Sequence, residues 1–435
     1  MATEAASNGL ARRLGVGDAV VIGLGSMIGA GIFAVFAPAA RTAGTWLPLA
    51  LLLAGLVALC NALSSAQLAA QYPVAGGSYV YGRERLGPWP GFFAGWCFIT
   101  GKTASCAAMA MTFAAYAVPG PWERLVAAAA VVALVTVNCL GVSRTARATK
   151  ILVALVLAVL ALVALAGVQS GVSAGVAPFS SAPPAGAYGV LQAAGLLFFA
   201  FAGYARIATM GEEVRDPART IPRAIVIALS GALVIYGVLA MLSLAVLGPD
   251  ALAASTTPLA DLAAVGGWDW TAPVVRLGAA AATLGALLAG ITGIARTSLA
   301  MARTGDLPRP LAVLDVHHGV PRRAEIALGA VVVLLVVTGD VRDVIGFSSF
   351  GVLLYYLVAN LSAFTQTGEH RRYPRAVSVL GASLCVLLVA TLPLTSVLAG
   401  VLVLCAGVLW RVLRLHRTAR RSTGPRRGGD GELRR

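Results

Sequence analysis

Long apolar stretches, separated by short polar segments, run along the whole chain. Twelve of them are near the length of about 20 residues that a helix needs to cross about 30 Å of hydrocarbon. These stretches lie at 17–38, 46–70, 91–118, 124–142, 149–169, 188–211, 221–248, 272–302, 324–338, 343–366, 376–391 and 393–414. Backbone groups inside a bilayer must bond to one another, which favours helices over open strands. The pattern predicts an all-α polytopic membrane protein with 12 transmembrane helices.

The composition excludes most soluble classes of protein. Hydrophobic residues make up 58% of the 435 residues and charged residues only 12%, with a mean hydropathy of +0.84. A soluble domain is about 45–50% apolar and about 25% charged. The six cysteines are dispersed and the four histidines have no ligand-like spacing, so we expect no metal site and no cofactor.

The formal charge of +15 could indicate nucleic-acid binding, but its distribution indicates membrane topology instead. If Arg12 and Arg13 face the cytoplasm, most other basic residues fall on that side, including nine arginines in segment 411–435. The loops on the opposite side then hold four basic residues: Arg41, Arg124, Arg276 and Arg342. Cytoplasmic loops are rich in Lys and Arg. We therefore expect a cell-membrane protein with both termini in the cytoplasm, a basic tail near anionic lipids, and no nucleic acid as partner.

The first apolar stretch contains a glycine-rich string, GLGSMIGAGIF at 23–33. Glycine inside a helix costs about 1 kcal/mol relative to alanine. A nucleotide-binding loop would need glycine where Ile28 stands, and a βαβ context that is absent from this sequence. Gly25 and Gly29 form a GxxxG pattern that could pack two helices. The alternative is an unwound segment at 29–31, where half-helix ends meet a substrate.

The sixth stretch has a second interruption, near 202–204 within GLLFFAFAGYARIATMGEEVRDP. Each interrupted helix opens a set of five stretches, which predicts a five-plus-five repeat with discontinuous helices 1 and 6. A half-helix N-terminus stabilises a carboxylate, and exposed carbonyls accept hydrogen bonds from an ammonium group. The pair of interruptions therefore favours a zwitterionic amino acid as substrate.

Four stretches give the chain a resemblance to a known superfamily. They are GSMIGAGIF at 25–33, PVAGGSYVYGRERLGPWPGFFAGW at 73–96, FFAFAGYARIATMGEEVRDPARTIPRAI at 198–225 and RTSLAMARTGDLP at 296–308. In these stretches the chain resembles the amino acid–polyamine–organocation transporters, whose fold is a five-plus-five inverted repeat, and the likeness covers about 10–415.

The resemblance implies a division of the chain into five parts. They are a cytoplasmic N-terminal segment 1–14, a first repeat 15–169, a second repeat 188–366, helices 11 and 12 at 376–414, and a basic cytoplasmic tail 415–435.

The resemblance also implies a substrate site at the two interruptions. Amides of Ala30 and Gly31 would meet the carboxylate, and carbonyls near Met27, Phe199 and Ala202 would meet the amine. Either Phe199 or Phe201 would be the aromatic side chain that closes over the substrate, or would simply pack in the core. The implied substrate-binding set is Met27, Ile28, Gly29, Ala30, Gly31, Lys102, Phe199, Phe201, Ala202, Gly203 and Tyr204.

Lys102 lies about ten residues into the third stretch, at membrane depth. Several superfamily members carry a lysine in the fifth stretch at the position of Val156, so that coupling residue does not transfer to this chain. An intramembrane lysine is a functional candidate. We interpret Lys102 as a proton carrier or as a pocket cation that excludes cationic substrates. The alternative is a lysine that snorkels or bonds to nearby carbonyls.

Arg206 and Arg296 lie toward the cytoplasmic halves of their stretches. An arginine does not readily release its proton, so neither is a good carrier. Pairing with Glu212 or Glu213 is one expectation, and a role of these four residues in a cytoplasmic gate is the other.

These features predict a secondary transporter, not an enzyme, that moves an L-amino acid by alternating access. A neutral or small amino acid is favoured because Lys102 would repel a cationic side chain. Proton symport is the first expectation for coupling, with exchange, export and polyamine transport as alternatives within the superfamily. A channel would need a continuous polar pore, and an intramembrane enzyme would need clustered catalytic groups.

Overall fold

A computed structural model describes residues 14–29, 31–73, 76–141, 146–170, 179, 181, 183–208, 210, 213–265, 270–315 and 318–422. Across these ranges the secondary structure is helical, apart from one isolated parallel bridge between Leu14 and Val214.

Sixteen α-helices follow one another in the described ranges. The first eight are α1 (Val16–Ile28), α2 (Gly31–Ala43), α3 (Leu47–Gln71), α4 (Ser78–Leu86), α5 (Pro88–Ala117), α6 (Glu123–Cys139), α7 (Ala146–Gln169) and α8 (Gly186–Phe201). The others are α9 (Ala205–Ala208), α10 (Pro217–Ala254), α11 (Pro258–Ala264), α12 (Thr271–Arg303), α13 (Arg322–Thr338), α14 (Val341–Phe364), α15 (Arg375–Thr391) and α16 (Leu394–Ser422).

Several of these helices are suited to a membrane. In the described part of the chain, seven helical segments are long and apolar enough to cross one, and the shorter helices α1 and α15 are also apolar. The segment Gly31–Gln71 counts as one of the seven because a 3-10 turn at Gly44–Trp46 joins α2 to α3. The all-α prediction is confirmed, and the chain is a polytopic membrane protein. Twelve crossings and an inverted repeat stay predictions, although each predicted stretch overlaps a helix.

The helices also differ from the apolar pattern in places. The short helices α4 and α11 lie between predicted stretches, and the hydropathy pattern gives no sign of them. The seventh stretch was expected to end at residue 248, but α10 continues to Ala254 across a kink. Gly248 has φ +75° there, a left-handed conformation that glycine adopts without steric cost, and Pro249 follows it.

The contact between α5 and α14 fixes the position of Lys102. A Cβ atom built on Gly101 would lie 3.1 Å from the Cα of Gly351, so the two backbones approach each other with no side chain between them. One turn further, the hydroxyls of Ser105 and Ser348 lie 2.6 Å apart. Small residues of this kind allow close helix packing in membranes, and here they place the middle of α5 directly against α14.

Candidate substrate site at two helix interruptions

The first interruption separates α1 from α2. Helix α1 ends at Ile28, Gly29 keeps right-handed helical angles, and α2 begins at Gly31; Ala30 lies outside the described residues. Met27 and Ile28 are each 1% exposed, so their side chains are packed in the core. Backbone groups are therefore the polar groups that Met27, Ile28, Gly29 and Gly31 offer here.

The second interruption follows α8, and Lys102 reaches it. Helix α8 ends at Phe201, a 3-10 turn covers Ala202–Tyr204, and α9 is one turn long. Lys102 donates a hydrogen bond from Nζ to the carbonyl oxygen of Ala202, at 3.2 Å. The resemblance to the superfamily implied that this carbonyl would bind the substrate amine. In the structure, the amine that it binds belongs to the protein itself.

The two interruptions contact each other through their backbones. A Cβ atom at Gly203 would overlap the carbonyl of Ser26, and a Cβ atom at Gly31 would overlap the backbone of Ala200. Glycine is therefore required at both contacts, because no side chain fits between the two backbone segments. The structure brings together two segments that the sequence placed in one site from separate motifs.

The aromatic candidates have different surroundings. Phe201 is fully buried and packs on Tyr236 of α10, with ring centroids 5.2 Å apart. Phe199 keeps 7% of its surface exposed, which makes it the better candidate for the closing aromatic residue. Tyr204 stacks on Tyr356 of α14 at 5.0 Å between centroids. Sequence reasoning missed Tyr236 and Tyr356, because nothing in the local sequence shows that these helices pack on the second interruption.

One of the expected gate pairs is present. Arg206 Nη2 lies 3.1 Å from Glu213 Oε1, with the side chains 44% and 29% exposed. Such exposed pairs contribute about 0–1 kcal/mol. Glu212 lies outside the described residues. Arg296 lies on an exposed face of α12 and belongs to none of the ion pairs found among the described residues.

A backbone bridge, which the sequence did not predict, lies beside that pair. The amide of Leu14 donates to the carbonyl of Glu213 at 3.2 Å, and the amide of Arg215 donates to the carbonyl of Leu14 at 2.9 Å. The bridge ties the chain that enters α1 to the chain that leaves α9. The two interrupted helices are thus joined both at their breaks and at this end.

Helix α7 holds the position where the superfamily lysine was sought. Val156 is 4% exposed and packs in the apolar core. A Cβ atom on Gly25 would overlap the side chain of Val153, so α7 packs closely on α1. Lys150 of α7 forms an ion pair with Asp18 of α1.

A buried charge cluster, which sequence reasoning missed, lies where α4, α12 and α16 meet. Asp306 is 6% exposed, and its two carboxylate oxygens bind Arg83 at 2.9 Å and Arg411 at 2.6 Å. The hydroxyl of Tyr79 donates to the same carboxylate at 2.9 Å, and burial raises the pKa of this hydroxyl, which keeps its proton. Arg411 was counted among the nine arginines of segment 411–435, but it is 7% exposed and pairs with Asp306.

In the described part of the chain, no group of three or more His, Cys, Asp or Glu residues could hold a metal ion. Interrupted helices that contact each other within a helical membrane protein are typical of secondary transporters.

Comparison with known proteins identifies the family. A sequence profile described as "Amino acid permease" matches residues 14–410. The chain belongs to the amino acid permease family, which confirms the resemblance to the superfamily, and it is a transporter rather than an enzyme. Membership implies a small-molecule amino acid as substrate.

Individual relatives support the same class. An uncharacterized transporter of Mycobacterium tuberculosis is 56% identical over 92% of this chain and 90% of its own length. The branched-chain amino acid permease BcaP of Bacillus subtilis is 26% identical over 88% of this chain and 86% of its own length. Cationic amino acid transporter 7 of Arabidopsis thaliana is 28% identical over 80% of this chain and 64% of its own length.

Proposed function

We propose that the chain is a secondary transporter that moves a neutral or small L-amino acid across the cell membrane by alternating access. The observation that carries this proposal is the backbone contact between the two interruptions, with the Lys102 ammonium on the Ala202 carbonyl. A single small site then presents both a helix N-terminus and a carbonyl acceptor. These are the two groups that a zwitterion needs.

The substrate carboxylate binds at the start of α2, where the Gly31 amide is at the N-terminal end of a 13-residue helix. The substrate ammonium binds carbonyls of the interruptions, including those near Met27, Phe199 and Ala202. Phe199 closes over the bound amino acid. Gly29, Gly203 and Tyr204 complete the lining of this site.

Lys102 sets substrate charge and coupling in this proposal. While it is protonated, its ammonium occupies the Ala202 carbonyl and repels a cationic side chain. The substrate ammonium displaces this side chain from the carbonyl while Lys102 keeps its proton, and Lys102 releases the proton on the alkaline side together with the amino acid, so the two cross in the same direction. Arg206 with Glu213 forms the cytoplasmic gate, to which we also assign Arg296 and Glu212.

Twelve crossings, a five-plus-five repeat and cytoplasmic termini complete the proposed arrangement. Its support is the distribution of basic residues, since the loops assigned to the opposite side hold four arginines. The branched-chain permease among the relatives is consistent with a neutral substrate. The plant relatives named as cationic amino acid transporters support the second candidate, a cationic amino acid, and Lys102 argues against it.

Uptake into proteoliposomes with an imposed pH gradient tests this function. We expect saturable uptake of leucine or alanine, faster with the lumen alkaline, and little uptake of lysine or putrescine. Lys102→Met should remove the pH dependence and admit lysine at least about tenfold faster. The reason is that like charges 4 Å apart repel by about 4 kcal/mol at an effective dielectric constant of 20.

Lys102→Arg is the matched control because arginine keeps the charge but does not release a proton. It should still exclude lysine and should lose the pH dependence. If the wild type took up putrescine and no amino acid, the proposal of an amino acid substrate would be wrong. A Lys102→Met profile equal to that of the wild type would remove Lys102 from the mechanism.

A further inference from the structure

A cavity of about 270 Å³ lies at one end of the helix bundle, away from the Asp306 cluster. Its wall includes the face of α2 from Phe33 to Arg41, together with Met111 and Thr112 of α5. The eight residue-to-residue steps from Phe33 to Arg41 span about 12 Å of helix. The cavity therefore extends from within a turn of Gly31, at the first interruption, to the end of α2.

Three arginines line this cavity: Arg41, Arg124 and Arg342. Each guanidinium group donates to a neutral acceptor: Arg41 to the Ala253 carbonyl at 2.7 Å, Arg124 to the Val337 carbonyl at 3.0 Å, and Arg342 to the Gln192 side chain at 3.0 Å. None of the ion pairs found among the described residues includes them. A guanidinium has five N–H donors, so each can still bind an incoming anion.

Two carboxylates, those of Glu123 and Asp340, also line the cavity. Each accepts a backbone amide, Gly120 to Glu123 at 3.1 Å and Arg342 to Asp340 at 2.8 Å. Three guanidinium and two carboxylate groups leave one net positive charge on the wall. That balance suits a single carboxylate and tolerates an ammonium group beside it, whereas a polyanion would be repelled by the two acidic side chains.

We propose that this cavity, the arginine vestibule, binds the carboxylate of an amino acid before the amino acid enters the central site. The inference rests on the proposed function and on the proposed orientation, in which the vestibule opens to the outside. Arginine binds carboxylates through charge-assisted hydrogen bonds, and a charged concavity with apolar walls raises the local concentration of a ligand. Three of the four arginines assigned to the outer side line the vestibule, which concentrates the positive charge of that side in one place.

Uptake kinetics of charge-neutral variants test the vestibule. The triple variant Arg41→Gln, Arg124→Gln, Arg342→Gln should raise the KM of amino acid uptake about fivefold or more with little change in maximal rate, because complementary charges act mainly on association. Salt should raise the KM of the wild type and not that of the variant, since exposed charges are screened. Arg276→Gln is the matched control: it removes an arginine from the same side that does not line the vestibule.

An equal rise of KM in Arg276→Gln, or an unchanged KM in the triple variant, would overturn the vestibule proposal and leave the proposed function standing. Wild-type protein that takes up no amino acid would instead overturn the proposed function.

A second measurement uses the unmodified protein in phosphatidylcholine vesicles, and so does not depend on the folding of a variant. An arginine-directed dicarbonyl reagent should modify the exposed residues Arg41 and Arg124, as read by mass spectrometry. Leucine should slow this modification. Isoamylamine, which is leucine without its carboxylate, should not. If leucine gives no protection, the proposal fails. It also fails if phosphatidylglycerol alone protects both arginines, which would assign the vestibule to a lipid headgroup.

Discussion

At the scale of single residues, the two glycines at the interruptions determine how close the broken helices can come. Gly203 touches the Ser26 carbonyl, and Gly31 touches the backbone of Ala200. A methyl group added at such a contact would fit only if a whole helix segment moved. The distance between the interruptions, and with it the geometry of the site, therefore depends on the absence of a Cβ atom at two positions.

Gly203→Ala should destabilise the protein by about 1–3 kcal/mol, the usual cost of overpacking, and should strongly reduce uptake. Thermal unfolding of the purified protein and uptake at saturating amino acid check the two effects. The matched control is Gly237→Ala in α10, where an added Cβ would meet no atom within 4 Å. It should be neutral or stabilising by up to about 1 kcal/mol. A Gly203→Ala protein with wild-type stability and uptake would show that the contact is dispensable.

At the scale of helices, the sequence predicted the interruptions well and their surroundings poorly. The breaks at 29–31 and 202–204 carry local signals, namely glycines inside apolar stretches and corresponding positions in the two predicted halves. The hydrogen bond from Lys102 to Ala202 joins residues 100 positions apart, and no local pattern encodes it. The same holds for Asp306, whose partners Arg83 and Arg411 are 223 and 105 positions away.

We expect the Asp306 cluster to stabilise the packing of its helices. Asp306→Asn removes the one negative charge between Arg83 and Arg411. Removing one partner of a buried ion pair costs up to about 3–5 kcal/mol, and less is expected here because Arg83 is 32% exposed. The melting temperature should fall clearly. In Asp216→Asn, the pair with Arg219 is exposed at 56% and 77%, so no measurable change is expected. Equal melting temperatures for the two variants would mean that the cluster does not hold α4 and α16.

At the scale of the whole molecule, the arginine vestibule and the Asp306 cluster lie at opposite ends of α5, a 30-residue helix about 45 Å long. The two ends differ in the partners of their arginines. At one end a buried carboxylate between two arginines joins the helices, and at the other three arginines line a cavity and form no ion pair with any described residue. Basic residues are rare in the loops at the vestibule end, so their grouping there is a property of the folded molecule.

Cysteine labelling on intact cells checks which end faces outward. A membrane-impermeant maleimide should label Trp122→Cys, at a position 63% exposed between α5 and α6. It should label Arg219→Cys, in the first turn of α10 where the arginine side chain is 77% exposed, once the membrane is permeabilised. The wild type, whose described cysteines are mostly buried, gives the background. The reverse labelling pattern would invert the proposed orientation.

The hydrogen bond between Lys102 and Ala202 also affects which solutes can bind at the second interruption. In the proposed mechanism the Lys102 side chain competes with any free amine at a high effective concentration, because it is attached to the protein beside the carbonyl. A simple amine at lower concentration loses that competition. A solute that also anchors its carboxylate at the start of α2 gains free energy that the lysine cannot match. In this mechanism Lys102 therefore favours solutes that carry both an ammonium and a carboxylate group on one small molecule.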